Sequence, residues 1–570
     1  MRTIAKALVA AVLLAPPAGL AQATGEEDKR PWQAEGNRAA VATEHILASE
    51  AALSVLRDGG NAVDAAVAAS LAIAVVNPSS AGLGGGGFML VFVAAEGRVH
   101  ALDYRETAPR RASRDMYTPG GAYHAQTSLY GGKAVAVPGE VAGLEAALER
   151  FGSRSFEKVA APAIALARRG FVVEEHLAGS IAARKDKIAA NDAMASMFLH
   201  DDGSPYLAGE TMTRPGLADT LDLLSRSGTR VFYEGVLAMD LAKAVSRQGG
   251  LVDAKDLGAY RVKWRDPVIT DYRGLRVAGM PPPSSGGGTI AAALAVLEPY
   301  QLSDMGAGSA TYLHLLAEVM KAVFADRANH YGDPDMADVP LERLISAAHT
   351  DAIRARLSAS RAIPSADYGR STTGDDSGTS HISVIDEQGN AVAMTTSINT
   401  AFGSMVAVPR RGIILNNTMD DFSARPGLPN IYGLVGSEAN SIAPRKRPLS
   451  SMSPTIVLEG GKARLVLGAS GGPLIISASL QTILGITDLS LHAGEAVAAP
   501  RIHHQWMPEV LGFEKGIDPA VGRSLGRRGH QLMPLSGSAS VQAVEMTKAG
   551  DKTLLRAVSD PRKGGRPAAY

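Results

Sequence analysis

Hydrophobic residues recur at helical spacing through the first part of the chain. Between Glu44 and Arg57 they mark one face of a helix, and Asp58-Gly59-Gly60 ends it because glycine favours helix C-termini. Ala62 to Val76 is apolar almost throughout, which predicts a helix buried between layers. Gly139 to Phe151 is amphipathic and predicts a further helix.

Apolar runs bounded by turn residues predict two pairs of strands. Phe88–Ala94 and Arg98–Tyr104 flank Glu96-Gly97, and residues 379–386 and 391–398 flank a second turn. The stretch 155–365 between these pairs has a mostly helical pattern. This mixture predicts an α/β or α+β protein built of packed layers.

A Pro/Gly-rich segment, Met280 to Gly288, interrupts that helical stretch. Its glycine run Gly286–Gly288 is not followed by Lys-Ser/Thr, and the pattern shows no strand–loop–helix frame around it. We therefore interpret the run as a structural loop rather than a phosphate-binding loop.

The strand pair at 379–398 follows a segment, residues 361–378, that is rich in Ser, Thr, Asp and Gly and predicts an exposed, flexible connection. A three-residue loop at 387–389 would pair Asp386 with Asn390 and therefore Thr379 with Ser397. Paired side chains on one face lie about 5 Å apart at Cβ, so two hydroxyls would meet. A four-residue loop would shift the register by one and separate them.

Thr379 becomes a plausible nucleophile only if the bond before it is broken. Cleavage after Gly378 would free the α-amino group of Thr379, whose pKa of about 7.7–8.0 suits a general base near neutral pH. Gly378 has no side chain to block attack on its carbonyl and tolerates strained backbone angles. The alternative is that Gly378-Thr379 merely begins an ordinary strand.

Composition narrows the possible chemistry. The 57 Lys and Arg residues equal the 57 Asp and Glu residues in number, which argues against a nucleic-acid or membrane-surface partner. The sequence contains no cysteine, which excludes disulfides, thiolate metal sites and a cysteine nucleophile.

The N-terminus has the pattern of an export signal. Arg2 and Lys6 precede an apolar run, Ala7–Ala15, and small residues near position 23 suit a cleavage site. The run is too short to span a bilayer, although a retained anchor is the alternative. We expect residues 1–23 to be removed and the mature protein to be periplasmic or secreted, without a membrane-spanning segment.

Three short motifs in the C-terminal part could carry chemistry. Asn416–Phe422 contains paired carboxylates, which could equally cap a turn or helix. Pro448–Pro454 contains adjacent serines, which could bind a carboxylate or cap a turn. Ala469–Pro473 follows an apolar strand and contains Gly-Gly, whose successive N–H groups could stabilise an oxyanion.

Taken together and in order, these motifs resemble the γ-glutamyltranspeptidase family from about Ala39 to the C-terminus. The segments that carry the resemblance are Asn61–Ala65, Leu102–Glu106, Pro281–Gly287, Asn416–Ser423, Pro448–Thr455 and His504–Trp506. The resemblance implies an α+β fold, a four-layer αββα sandwich of the N-terminal-nucleophile hydrolase type. It also implies one precursor cleaved into a large subunit, 24–378, and a small subunit, 379–570, which together form one domain.

The resemblance assigns a role to each matching position. It implies Thr379 as the nucleophile for self-cleavage and for attack on the γ-glutamyl amide, with Ser397 as a supporting hydroxyl and Gly471 and Gly472 as the oxyanion hole. The implied substrate-binding residues are Arg105, Ser450 and Ser451 for the α-carboxylate, Asn399 and Asp421 for the α-amino group, and Tyr432 in a mobile lid formed by residues 429–435.

Two positions depart from the family's commonest pattern. Ser397 replaces a threonine and keeps the hydroxyl with a freer rotamer. Thr418 stands where members usually have Gln or Glu beside the α-amino group, so one substrate contact worth about 0.5–1.5 kcal/mol is expected to be lost. Weaker binding of the glutamyl group is therefore expected.

The resulting prediction is an enzyme that transfers γ-glutamyl groups from glutathione and related compounds to water, an amino acid or a dipeptide. It needs no cofactor or metal. The alternatives are a related amide acylase, such as a cephalosporin acylase, and an uncleaved binding protein that uses the same pocket.

Five further residues are interpreted conservatively. His503 and His504 are expected to be structural rather than a metal pair. His381 lies on the same strand face as Thr379 and could tune the base, although a structural role is preferred. Lys446 and Arg447 could attract an anionic substrate or form a solvated loop face.

Overall fold

Two antiparallel sheets lie face to face at the centre of the protein, in a computed structural model that describes residues 30–121, 123–368, 378–535, 537–550 and 552–570. The predicted export signal, 1–23, and residues 369–377 of the predicted connection lie outside the described residues. Residues Trp32–Tyr570 form one compact unit.

The strands are numbered in chain order. They are β1 Gln33–Gly36, β2 Ala40–Thr43, β3 Gly86–Val93, β4 Arg98–Tyr104, β5 Phe171–Val172, β6 Thr211–Met212, β7 Lys263–Arg265, β8 Val268–Tyr272, β9 Leu275–Gly279, β10 Ser380–Ile385, β11 Ala391–Ser397, β12 Ala407–Val408, β13 Ile413–Ile414, β14 Thr455–Glu459, β15 Lys462–Ser470, β16 Ile502–His503, β17 Leu511–Phe513, β18 Leu532–Pro534, β19 Ser540–Ala549, β20 Lys552–Ser559 and β21 Ala568–Ala569.

The helices are numbered in the same way. They are α1 Ile46–Arg57, α2 Ala62–Val76, α3 Ala125–Leu129, α4 Glu140–Phe151, α5 Phe156–Arg169, α6 Glu175–Ala183, α7 Lys185–Ala189, α8 Asp192–Phe198, α9 Pro215–Ser227, α10 Arg230–Glu234, α11 Val236–Arg247, α12 Ala254–Ala259, α13 Gly286–Leu297, α14 Leu302–Met305, α15 Ala310–His330, α16 Leu341–Leu344, α17 Ala347–Arg356, α18 Leu474–Thr487, α19 Ala493–Ala498 and α20 Pro519–Arg527.

The layers are helix, sheet, sheet and helix. One sheet has the strand order β21-β2-β10-β11-β3-β4-β7, and the other has β1-β20-β19-β15-β14-β9-β8. Strands β10 and β11 pack against β15 across the space between the sheets. Helices α1, α2 and α4 cover the outer face of the first sheet, and α13, α18 and α19 cover the second. This is the predicted four-layer αββα sandwich.

The predicted early elements are confirmed as α1, α2, β3, β4 and α4. Every residue of α2 is buried, because one side packs on β10 and β11 while the other meets α4 and α5. This double burial explains why its sequence is apolar on all sides. In the part of the chain that the structure describes, no helix is long and apolar enough to cross a bilayer.

The hairpin formed by β10 and β11 has the predicted register. The Asp386 amide donates to the Asn390 carbonyl at 3.0 Å, which closes a three-residue loop. Ser380 pairs with Thr396, so the preceding residue, Thr379, lies opposite Ser397.

The middle of the chain is mostly helical, as predicted, because it contains helices α5 to α17, but it also contains strands, and the interpretation of its glycine run is wrong. Strands β7, β8 and β9 lie in the stretch predicted to be mostly helical. The glycine run 286–288 is also no loop, since it begins α13 directly after β9 and the turn that follows it, in a strand–loop–helix frame. A side chain at Gly287 would come within 2.4 Å of the Met280 carbonyl oxygen, so close packing explains this glycine.

Candidate active site

Thr379 lies immediately before the first residue of β10, an inner strand of the first sheet. Its Oγ1 is 2.7 Å from the carbonyl oxygen of Gly378 and 3.1 Å from Ser397 Oγ. Ser397 Oγ also donates to that carbonyl oxygen at 2.8 Å and accepts the Asn399 amide N–H at 2.8 Å. The two hydroxyls expected from hairpin counting are therefore together, and both contact the carbonyl of the predicted cleavage site.

The backbone at Gly378 accepts only glycine. Its φ is +119°, which favours glycine, and a Cβ there would lie 2.4 Å from the Asn399 carbonyl oxygen. Any larger residue would displace the carbonyl from the two hydroxyls.

The Gly471-Gly472 turn faces Thr379 from the opposite sheet. It joins the end of β15 to α18, and Gly472 lines the same cavity as Thr379. Gly472 therefore shares the cavity of Thr379, and Gly471 directly precedes it in the turn.

A mostly polar cavity extends from Thr379 and holds most of the predicted substrate-binding residues. Its lining includes Arg105, Arg327, Thr379, Ser397, Asn399, Asp421, Tyr432, Ser450, Ser451 and Gly472. Thr418 and Gly471 are not part of this lining.

Arg105 and Asp421 form an ion pair in the wall of this cavity. Arg105 is 1% exposed, and its Nη2 contacts the Asp421 carboxylate directly. Its Nε donates to the Pro448 carbonyl at 3.2 Å, which fixes the plane of the guanidinium. Burial raises the pKa of Asp421, while Arg105 opposes this by stabilising the carboxylate. One cation and one anion side by side suit the zwitterionic head group of an amino acid.

Arg327, on α15, is a second cavity arginine that the sequence analysis missed. Its Nη2 donates to Ser451 Oγ at 3.1 Å and its Nε to Ser285 Oγ at 3.0 Å. Burial lowers its pKa to about 10, so it stays charged at neutral pH. It follows Ala325-Asp326 on an ordinary helical pattern, and only its burial beside the serines distinguishes it.

Tyr432 closes one side of the cavity. Its hydroxyl donates to the Asn399 side-chain and main-chain oxygens, at 2.8 and 2.9 Å. Asn399 has a φ of +77° and is also held by its Nδ2, which donates to the Asn417 carbonyl at 3.1 Å. Gln505 Nε2 donates to the Tyr432 carbonyl at 3.2 Å, which anchors residues 429–435 over the pocket.

Thr418 lies behind the cavity wall. It is fully buried, and its hydroxyl donates to Glu106 Oε1 at 2.8 Å. The other oxygen of Glu106 accepts from Arg105 Nη1 at 3.3 Å. Thr418 therefore contacts Glu106, which in turn contacts Arg105, and it is not part of the cavity lining.

A family model described as gamma-glutamyltranspeptidase matches residues 48–570. The chain belongs to the γ-glutamyltranspeptidase family. The glutathione hydrolase proenzyme of Escherichia coli (strain K12) is 40% identical over 552 residues, covering 96% of this chain and 94% of that protein. The acylase ACY 1 proenzyme of Pseudomonas sp. (strain SE83) is 38% identical, covering 89% of each. The crystal structure of cephalosporin acylase from Bacillus halodurans has a TM-score of 0.84 and 26% identity, covering 98% of this chain and 99% of that one.

The histidines of this γ-glutamyltranspeptidase-family chain lie outside the cavity lining. His381 is fully buried between the sheets, where it contacts Thr395 Oγ1 at 2.8 Å and Ser383 Oγ at 3.1 Å. Burial lowers its pKa to about 3, so the ring is neutral. His503 contacts Ser477, whereas His504 accepts the Trp506 amide, so the two rings serve different neighbours.

Arg447 and Lys446 are buried rather than solvated. Arg447 Nη1 contacts Asp103 Oδ1 at 2.5 Å and the Arg105 carbonyl at 3.2 Å. Arg447 therefore holds the main chain at Arg105. Neither Lys446 nor Arg447 lines the cavity.

One group of side chains in the described residues has the donor set of a metal site. His314, Glu318 and His530 are buried, and their ligand atoms lie within 4.8 Å of one another. His314 Nδ1 is 2.7 Å from His530 Nε2, and the Lys321 ammonium lies 2.8 Å from Glu318 Oε1. That ammonium already neutralises the carboxylate and would repel a cation, so we interpret the group as a hydrogen-bonded structural cluster.

Glu140 is a buried acid beneath β11. Its carboxylate accepts from Ser70 Oγ and Thr396 Oγ1, each at 2.6 Å, and burial raises its pKa to about 7. A raised acid pKa means that the folded state keeps a proton that the unfolded chain loses between about pH 4.5 and 7. Folding stability attributable to Glu140 therefore falls as the pH rises through that window.

Glu140→Gln is expected to remove this pH dependence. The fall in the free energy of unfolding between pH 4.5 and 7.5 should be smaller in the variant by on the order of 3 kcal/mol, because burial raises the pKa of Glu140 from 4.5 to about 7. Urea unfolding at several pH values measures it, with the exposed Glu459→Gln as the control. Parallel pH curves for wild type and Glu140→Gln would contradict the assignment.

Proposed function

We propose that the protein is a self-processing γ-glutamyl hydrolase and transpeptidase that acts through a γ-glutamyl-threonine intermediate. The observation that carries the proposal is the Thr379 hydroxyl, 2.7 Å from the carbonyl oxygen of Gly378 and in the same cavity as the Arg105–Asp421 pair. A nucleophile, a scissile bond and an amino-acid-binding pocket thus lie together.

Maturation starts at that carbonyl. Thr379 Oγ1 attacks the Gly378 carbonyl carbon, the C–N bond breaks, and the proton passes from the hydroxyl to the departing nitrogen. Ser397 Oγ polarises the carbonyl by donating to its oxygen at 2.8 Å. Water then hydrolyses the ester, which leaves a large subunit, 24–378, and a small subunit, 379–570, as a heterodimer.

Turnover uses the same hydroxyl with a new base. The freed α-amino group of Thr379 takes the proton from Oγ1 as it attacks the γ-carbonyl of the donor. The N–H groups of Gly471 and Gly472 stabilise the oxyanion, and the C–N bond breaks as the α-amino group passes its proton to the departing amine. The acyl group then passes to water, an amino acid or a dipeptide. Every step uses groups of the protein and its substrates, without a cofactor.

The pocket explains selection of a γ-glutamyl donor such as glutathione. The substrate α-carboxylate replaces Asp421 on Arg105 and reaches Ser450, Ser451 and Arg327. The α-ammonium group binds Asp421 and the Asn399 side chain. Tyr432 covers the bound head group and excludes water.

We place the mature protein in the periplasm or outside the cell. The basic and apolar pattern of residues 1–23 supports this placement.

A related amide acylase is the second candidate. The similarity to a cephalosporin acylase of Bacillus halodurans, over 98% of this chain, supports it. The Arg105–Asp421 pair favours a glutamyl donor instead, because a glutaryl group has no ammonium to neutralise Asp421.

Two measurements on purified wild-type protein test the proposal. N-terminal sequencing should give two fragments, one of which starts at Thr379, and γ-glutamyl-p-nitroanilide should be hydrolysed faster than glutaryl-p-nitroanilide. Added glycylglycine should accelerate release if transfer occurs. A single uncleaved chain would refute the enzyme, and preference for the glutaryl donor would favour the acylase.

A further inference from the structure

In the first sheet, the pairing of β2 with β10 stops before the N-terminal end of β10, where Thr379 lies. Strand β2 pairs with β10 from Ile385 back to Ile382, where Thr43 is its last partner. Thr379 and Ser380 therefore extend beyond the end of β2. Polar groups on that side need other partners, since unpaired buried groups are costly.

Lys563 supplies one of those partners. Its Nζ donates to the Thr379 carbonyl oxygen at 3.2 Å. It also contacts Glu44 Oε2 at 3.0 Å, and Glu44, the residue after β2, accepts from Ser380 Oγ at 3.1 Å. Lys563 and Glu44 together take the place of the missing strand.

The same ammonium reaches the other sheet. Lys563 Nζ donates to Ser470 Oγ at 3.1 Å, and Ser470 is the last residue of β15, directly before Gly471-Gly472. The Lys563 side chain thus connects the carbonyl of Thr379 to β15, the strand that precedes the Gly471-Gly472 turn.

Lys563 is itself held firmly. It ends a short helical turn, Pro561–Lys563, whose preceding residue, Asp560, is fully buried and accepts from the Arg562 amide at 3.0 Å. Asp560 also forms an ion pair with Arg501 at 2.7 Å. The side chain of Lys563 is 17% exposed and that of Glu44 is 1% exposed, so water competes little for their contact.

We propose that Lys563 is a positioning residue that sets the distance between the Thr379 nucleophile and the Gly471-Gly472 oxyanion turn. The proposal rests on the function proposed above. Lys563 matters most after cleavage. Thr379 is then a chain end, attached to the rest of the protein only on its carbonyl side, where the Lys563 ammonium binds. Catalysis depends steeply on such distances, because a displacement of about 1 Å can cost about 10²-fold in rate.

Lys563→Met tests this role, because methionine keeps much of the length and loses the ammonium. We expect self-cleavage to slow and kcat for γ-glutamyl-p-nitroanilide to fall about 10- to 100-fold, with KM within about 3-fold of wild type. KM should hold because Lys563 is not part of the cavity lining that contains Arg105 and Asp421. Lys548→Met, on the exposed surface of β19, is the matched control.

A double-mutant cycle with Ser470→Ala separates positioning from general stability. Ser470→Ala alone should lower kcat about 3- to 10-fold, and it should add little in the Lys563→Met background, because the contact is then already lost. Fully additive effects, or an unchanged kcat in Lys563→Met, would overturn the proposal. If Lys563→Met does not fold, an unchanged kcat in Ser470→Ala would overturn it as well.

If the proposed function itself is wrong, the wild-type protein gives a different experimental result. A wild-type protein that neither cleaves nor releases γ-glutamyl groups would refute the proposed function before any variant is compared. An active wild type with a fully active Lys563→Met variant would refute only the positioning role.

Discussion

Replacing Thr379 by alanine is expected to leave the purified protein as one uncleaved chain without γ-glutamyl hydrolase activity. Alanine removes the hydroxyl that lies 2.7 Å from the Gly378 carbonyl oxygen, so neither the internal ester nor the acyl-enzyme can form. We expect kcat to fall by at least about 10³-fold, as for other covalent nucleophiles. Intact-mass measurement and p-nitroaniline release check the two effects separately.

Two companion variants make this result specific. Thr379→Ser keeps a hydroxyl and should cleave more slowly but at the same bond. Thr553→Ala, which alters an exposed threonine on β20, should cleave and turn over normally. Fragments of unchanged size from Thr379→Ala would show that another residue, or a contaminating protease, performs the cleavage.

Arg105→Lys is expected to lower kcat/KM for γ-glutamyl-p-nitroanilide by about 10²- to 10³-fold, mainly by raising KM. Lysine keeps the positive charge but lacks the planar guanidinium, which binds a carboxylate through two parallel hydrogen bonds. Each charge-assisted hydrogen bond that is lost costs about 1.5–3 kcal/mol. Retaining the positive charge limits the damage to Asp421 and Glu106, which contact the guanidinium directly. Steady-state kinetics measure the effect, and thermal melting checks the fold.

A donor without the α-carboxylate identifies what Arg105 binds. Wild type should strongly prefer γ-glutamyl-p-nitroanilide over 4-aminobutyryl-p-nitroanilide, and Arg105→Lys should lose most of that preference. Arg98→Lys is the control, because Arg98 lies on β4, the strand that Arg105 directly follows, and its side chain is 64% exposed. An undiminished preference in Arg105→Lys would assign the α-carboxylate to another group, of which Arg327 is the nearest candidate.

The hairpin shows how far local sequence rules reach. The turn at 387–389 fixed the register, and side chains alternate strictly along a strand, so Thr379 had to lie opposite Ser397 once the loop length was known. Elements of this kind are set by neighbours in the chain. The apolar helix α2 was equally predictable, since complete burial requires apolar residues on every side.

The middle of the chain was less predictable. Strands β8 and β9 are partly exposed and short, so their apolar pattern is weak. Strand β9 is stabilised by pairing with β14 from a distant part of the chain, and β8 pairs with β9. The role of Gly286–Gly288 was misinterpreted for the same reason, because the preceding strand was not recognised.

By itself the sequence determined the periodicity of the main elements, the Gly378-Thr379 junction and the hydroxyl opposite it, because these depend on spacing along one chain. The motifs that it shares with the family also predicted Arg105, Asp421, Ser450 and Ser451 as substrate-binding residues. Only the tertiary structure decided which groups support them: Arg327 behind Ser451, Glu106 between Thr418 and Arg105, and Lys563 between the two sheets. These contacts join residues that are far apart in sequence, and burial, rather than any local pattern, makes them strong.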